Sequence, residues 1–192
     1  MKITPFAIKN KLDDILGAAR ARAFAAYWPG LYIDKDVRIG KRVNISCEPG
    51  AQIILRGTKL KEGVSVEAAA GASVDIGNSI IGRFVVISAR ERVSVGDGTG
   101  IADMSTIRDH NHVWSSNGGS DRTRWTTAPI SIGNAAWLGS KVTVTSGVSI
   151  GDGVVVGAGA VVTKSVADLT RVAGVPARPI IDRDKPSNES SE

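Results

Sequence analysis

The chain has one cysteine, two histidines, few aromatic rings and no long apolar run. A single Cys47 in 192 residues cannot close an internal disulfide, so nothing points to the stapled scaffold of small secreted domains, and a reducing cytoplasm is the expected compartment. No stretch of about 18 apolar residues is present to span a bilayer as a helix. The start Met1-Lys2-Ile3-Thr4-Pro5 lacks the apolar core of a signal peptide. Two histidines, both within one tetrapeptide, fall short of the three that a His-only catalytic zinc site needs, so no metal is expected. Aromatic residues make up 5% of the chain against 22 glycines, a balance that argues against a core of bulky rings and for many tight turns. The formal charge of +5 suits a polyanionic partner, but no nucleic-acid recognition motif accompanies it.

From Thr4 to about Trp28 the apolar residues Ile8, Leu12, Ile15, Leu16, Ala19 and Phe24 recur at three- and four-residue steps among Lys9, Lys11, Arg20 and Arg22. The spacing predicts one amphipathic helix, stopped by Trp28-Pro29-Gly30. Residues 1–30 are therefore set apart as a helical segment that covers the first turn of whatever follows. Its basic side can touch a membrane surface.

After Gly30 the helical period gives way to a period of six, clearest at Ile132, Leu138, Val144, Ile150, Val156 and Val162. Shorter runs in other frames are Ile33, Ile39, Ile45; Ile81, Ile87, Val93; and Val95, Ile101, Ile107. Periodicity is poor between about Ala51 and Ala72 and breaks altogether from Arg108 to Ser131. A six-residue unit is too short for a helical hairpin and suits a short strand plus a turn, the signature of a parallel β-helix. Three units make a triangular coil, with Gly133, Gly139, Gly151 and Gly157 at crowded corners just after the inward anchors.

The segment from Ile150-Gly151-Asp152-Gly153 through Val162-Thr163-Lys164 resembles the hexapeptide-repeat acyltransferases, as do Trp137-Leu138-Gly139-Ser140 before it and Ala173-Gly174-Val175-Pro176-Ala177-Arg178 after it. The likeness is greatest to the galactoside, maltose and polysaccharide O-acetyltransferases of that family. It implies an all-β fold, a left-handed parallel β-helix over residues 31–183 with an extruded loop at about 108–131 and a polar tail at 184–192. It implies a homotrimer, acetyl-CoA as co-substrate and a sugar or glycan acceptor from polysaccharide or lipopolysaccharide metabolism. On the same fold the alternatives are a serine O-acetyltransferase, a nucleotide-sugar N-acyltransferase and a non-catalytic β-helix module. The long helical bundle expected ahead of the repeats in serine acetyltransferases is absent, which favours a sugar.

Acyl transfer to a hydroxyl needs a base of near-neutral pKa, and both histidines sit in Asp109-His110-Asn111-His112 at the mouth of the loop. An ungapped register from Ile101 implies His112 as the base, with His110 the alternative if the loop slips. Asp109 or a backbone carbonyl would hold the imidazole. Trp114 and Trp125 offer flat faces for a sugar or the pantetheine arm, or else pin the loop. Arg108, Arg122 and Arg124 either recognise an anionic acceptor or simply solvate the loop, and Trp114 and Arg90 are the acceptor-side candidates. For the coenzyme the resemblance implies Trp137, backbone amides at Gly139 and Ser140 facing the thioester carbonyl, a backbone contact at Ala158, and Thr163, Lys164 and Arg178 near the nucleotide and its phosphates, with Arg183 a weaker candidate.

Overall fold

A computed structural model describes residues 5–116 and 118–180, without the side chains of 5–11, 115 and 122. After the helix Pro5–Tyr27 the chain winds as a parallel β-solenoid of about six coils. Each coil lays one short strand on each of three faces. Face A stacks Leu31–Ile33, Gln52–Leu55, Ser73–Ile76, Arg92–Val95, Ile130–Ile132 and Ser149–Ile150. Face B runs from Arg38–Ile39 to Arg171–Ala173, and face C from Asn44–Cys47 to Val161–Val162. Strands of the inner coils pair in parallel with the coil before and the coil after, so their edges are satisfied by their neighbours. Among the described residues no helix is long and apolar enough to cross a membrane.

The six anchors from Ile132 to Val162 are all buried, as are Ile81, Ile87, Val93, Val95, Ile101 and Ile107. The stretch that looked aperiodic also belongs to the solenoid, because the early coils are longer. Ile53 pairs with Val74, 21 residues on, whereas Ile132 pairs with Ile150, 18 on. The extra residues shift the six-residue frame while leaving Ile53, Leu55, Leu60, Val64 and Val66 buried.

The corner between faces A and B explains the Gly-Asp and Gly-Asn pairs. Asp152 Oδ1 accepts the amide of Asn134 at 2.6 Å, and Asp168 Oδ1 accepts that of Asp152 at 2.9 Å. A Cβ on Gly133 would lie 2.3 Å from Asp152 Oδ1, so glycine is required where the carboxylate of the next coil tucks under the turn. Thr58 and Thr99, both buried, donate beside this ladder to the carbonyls of Gly77 and Gly133 at 2.9 and 2.7 Å.

The N-terminal helix lies across the open edge of the first coil, but not on the face that its larger apolar residues suggest. It packs through Gly17, Ala21 and Phe24; Gly17 approaches the amide and carbonyl of Ile39, and Arg20 Nη1 donates to that carbonyl at 2.8 Å. Leu12, Ile15 and Leu16 are 53%, 59% and 40% exposed. Close approach to a strand edge needs small residues, so the backbone contact selects glycine and alanine and turns the leucine side outward. The Ile8 side chain, Arg183 and the 184–192 tail lie outside the described residues.

Candidate active site

The strand Thr106–Arg108 ends at the corner between faces C and A, where Asp109 opens the excursion. The excursion is not an irregular loop. It is an antiparallel hairpin of His110–Ser115 and Gly119–Thr127, with a register shift between His112 and Val113. Its base is closed by the Ala128 amide and the Ser146 hydroxyl, both donating to the Asp109 carbonyl at 2.9 Å.

Asp109 is fully buried, and its carboxylate accepts the amides of Arg90, Glu91 and Arg92 at 2.8, 2.8 and 2.7 Å. The same carboxylate lies 2.9 Å from His110 Nδ1. Asp109 thus joins the corner of the third coil to the root of the hairpin, and the imidazole it holds is that of His110, not His112. His110 is 6% exposed, and burial pushes its pKa below the ordinary histidine value, with Asp109 partly opposing. A depressed folded pKa means the unfolded chain binds the extra proton more readily, so stability is complete above about pH 6.5 and falls as pH drops toward the folded value. His110→Asn should flatten that part of the stability curve, read as the difference in thermal midpoint between variant and wild type across pH 7 to 5.

His112 is exposed, and its Nδ1 lies 3.2 Å from the Asp121 carbonyl. That carbonyl is held by its own residue: the Asp121 carboxylate accepts the Thr123 amide and hydroxyl at 2.8 and 2.6 Å and Arg124 Nε at 2.6 Å, which keeps its pKa far below the usual carboxylate range. Trp125 ties the groups together. Its ring lies 3.6 Å from that of His112, edge-on to His110 at 5.1 Å, and 3.8 Å from the Arg90 guanidinium. Trp114 is 73% exposed farther along the hairpin and does not join this cluster. Arg108 is exposed on face C, Arg124 is taken up by Asp121, and the Arg122 side chain lies outside the described residues.

The coenzyme candidates divide between corners. Gly139, Ser140 and Ala158 stack at the corner of faces B and C: a Cβ on Gly139 would lie 2.7 Å from the Ala158 amide, and Gly159 donates to the Ser140 carbonyl at 2.8 Å. Trp137 lies beside them on face B, 54% exposed, its ring over Gly100. The Gly139 amide already donates to the Val156 carbonyl at 2.8 Å, which takes it out of the expected pair and leaves Ser140 as the remaining candidate. Thr163 and Lys164 are exposed at the corner of faces C and A, two coils beyond the hairpin root, and Arg178 is exposed beside Ala173. Within one chain, face C separates the histidine cluster from the Gly139–Ala158 corner.

The arginine and tryptophan packing was beyond reach of the spacing, but the hairpin was not. Asn117-Gly118 between segments that carry Val113 and Trp114 on one side and Thr123, Trp125, Thr126 and Thr127 on the other is a two-strand turn signal.

Residues 129–164 match the hexapeptide repeat of succinyl-transferase. A putative lipopolysaccharide biosynthesis O-acetyl transferase, WbbJ of Escherichia coli (strain K12), is 40% identical over 109 residues, which are 53% of this chain and 56% of that protein; the match thus spans about half the length of the curated relative. Among solved structures, the N-acyltransferase AntD from Bacillus cereus, in complex with dTDP and 3-hydroxybutyryl-CoA, superposes with a TM-score of 0.68 at 20% identity, covering 82% of this chain and 86% of AntD. A hexapeptide-repeat acetyltransferase from Vibrio cholerae complexed with acetyl-CoA gives a TM-score of 0.55 at 22% identity, covering 90% and 81%. At these identities the structural likeness speaks for the fold.

Proposed function

We propose that this hexapeptide-repeat protein is an acyl-CoA-dependent O-acyltransferase, moving acetyl from acetyl-CoA to a hydroxyl of a sugar in lipopolysaccharide or another surface glycan. The observation that carries the reading is the setting of His112. A carbonyl can only accept, so in the neutral ring the contact with the Asp121 carbonyl favours the Nδ1–H tautomer, which carries its lone pair on Nε2 of an exposed residue. That is the form a general base needs.

In this reading His112 Nε2 takes the proton of the acceptor hydroxyl as its oxygen bonds to the thioester carbonyl carbon. The Ser140 amide is the donor for the charge that gathers on the carbonyl oxygen, and the proton on Nε2 then passes to the departing thiolate. Asp109 and His110 act as positioning residues, and Trp125 with Arg90 forms the wall against which His112 is stacked and an acceptor ring can lie. The residues present suit the coenzyme: the Gly139 turn is too tight for a side chain, and Ala158 and Trp137 beside it are exposed. Because face C stands between this corner and the hairpin, the reading includes a homotrimer in which the hairpin of one copy serves the corner of the next.

Thiol release from acetyl-CoA across a panel of sugars and oligosaccharides tests the reaction. The expected result is release that depends on a hydroxyl acceptor, with an ester product cleaved by hydroxylamine. Release only with amino sugars, giving a hydroxylamine-stable amide, would transfer the assignment to N-acylation.

A further inference from the structure

The cleft between the N-terminal helix and the first three coils has no part in the acyl-transfer reading, and its lining carries six basic and three acidic side chains. It encloses about 450 Å³ and is lined by Arg20, Arg38, Lys41, Lys59, Lys61 and Arg83. On the early coils a surface arginine usually meets an acid of the following coil: Arg42 with Glu62, Arg56 with Asp75 and, at the cleft's own rim, Arg83 with Asp103. Stacked coils make this pairing easy, because the next strand lies only about 4.8 Å away.

The cleft breaks that pattern. Arg38 is directly opposite Lys59 in the face B register, and its Nη1 donates to the carbonyls of Lys35 and Val37 at 3.0 Å, not to an acid. Lys41 and Lys61 add further positive charge at the adjoining corner. Asp13 and Asp14 of the helix also line the cleft but make no ion pair with these cations among the described residues, and Glu62 is taken by Arg42. Arg20 is fixed in place by the Ile39 carbonyl, so the helix that roofs the cleft contributes a cation held in position.

We propose that this cleft binds a phosphate-bearing ligand, a diphosphate or phosphate ester whose charge offsets the lysines and arginines that line it. Lysine ammonium groups on flexible stems and a fixed guanidinium are the donors such oxygens need. The ligand is either a free phosphorylated molecule or a lipid headgroup. The exposed Leu12, Ile15 and Leu16 on the outer side of the same helix would meet the acyl region in the second case.

The full chain, without coenzyme or acceptor, is titrated calorimetrically with inorganic pyrophosphate and is sedimented with phosphatidylglycerol and with phosphatidylcholine vesicles. Wild type should bind pyrophosphate at least about tenfold more tightly than Lys59→Gln/Lys61→Gln, while Arg22→Gln/Lys35→Gln, with the same charge removed elsewhere, should match wild type. Retention on phosphatidylglycerol alone, lost in Lys59→Gln/Lys61→Gln and in Leu12→Ser/Ile15→Ser, would identify the phosphate as a headgroup. The proposal is overturned if wild type binds neither probe, or if the lysine variant binds both as wild type does. Neither outcome bears on acyl transfer, which is read from thiol release.

Discussion

His112→Ala should lower kcat by about a hundred- to ten-thousand-fold, the usual contribution of a positioned general base, while leaving acetyl-CoA affinity nearly unchanged. The base acts on the acceptor hydroxyl and contributes mainly in the transition state, so the loss falls on turnover. His110→Ala should cost less activity and more stability, because that ring is buried against Asp109 and beside Trp125. Lys164→Ala should weaken coenzyme binding with a smaller effect at saturation. Steady-state kinetics with calorimetric titration of acetyl-CoA separates these signatures. A dead His110→Ala beside an active His112→Ala would move the base to the histidine held by Asp109; two active variants would remove imidazole catalysis altogether.

Asp109→Ala should destabilise the chain by about 3–5 kcal/mol. It leaves the amides of Arg90, Glu91 and Arg92 without their acceptor, and an unsatisfied donor costs about 1–3 kcal/mol each, eased where water can enter. His110 loses its partner in the same step. Asp109→Asn keeps an accepting oxygen and should lose about half as much. Urea unfolding followed by circular dichroism checks both, and an Asp109→Ala midpoint equal to wild type would contradict the role of this carboxylate in holding the third-coil corner.

What the sequence disclosed depended on how regular each coil is. From Ile132 to Val162 the anchors fall every sixth residue because the coils are 18 residues long, so period and fold coincide. Ile53 and Val74 are equally buried, but their 21-residue spacing hides them from a six-residue frame. The helix showed a different limit: its period was visible, but the buried side was set by how closely Gly17 and Ala21 can approach a strand edge, not by where leucine lies. At the site, the two histidines were conspicuous by rarity alone. Their different surroundings were not, because Asp109 reaches back to amides at residues 90–92 and His112 reaches across a hairpin to Asp121. Such contacts depend on the coil register and the hairpin register together.

The shared site, in which the histidine hairpin of one copy works at the Gly139–Ala158 corner of another, is the core of the proposed mechanism. It is tested by mixing two inactive proteins: His112→Ala, and Ala158→Trp, whose side chain would fill the coenzyme corner. After dissociation and reassembly together, thiol release from acetyl-CoA should return, since some interfaces then pair an intact hairpin with an intact corner. Mixed oligomers that form, as shown by native mass spectrometry, yet stay as inactive as either parent would contradict it.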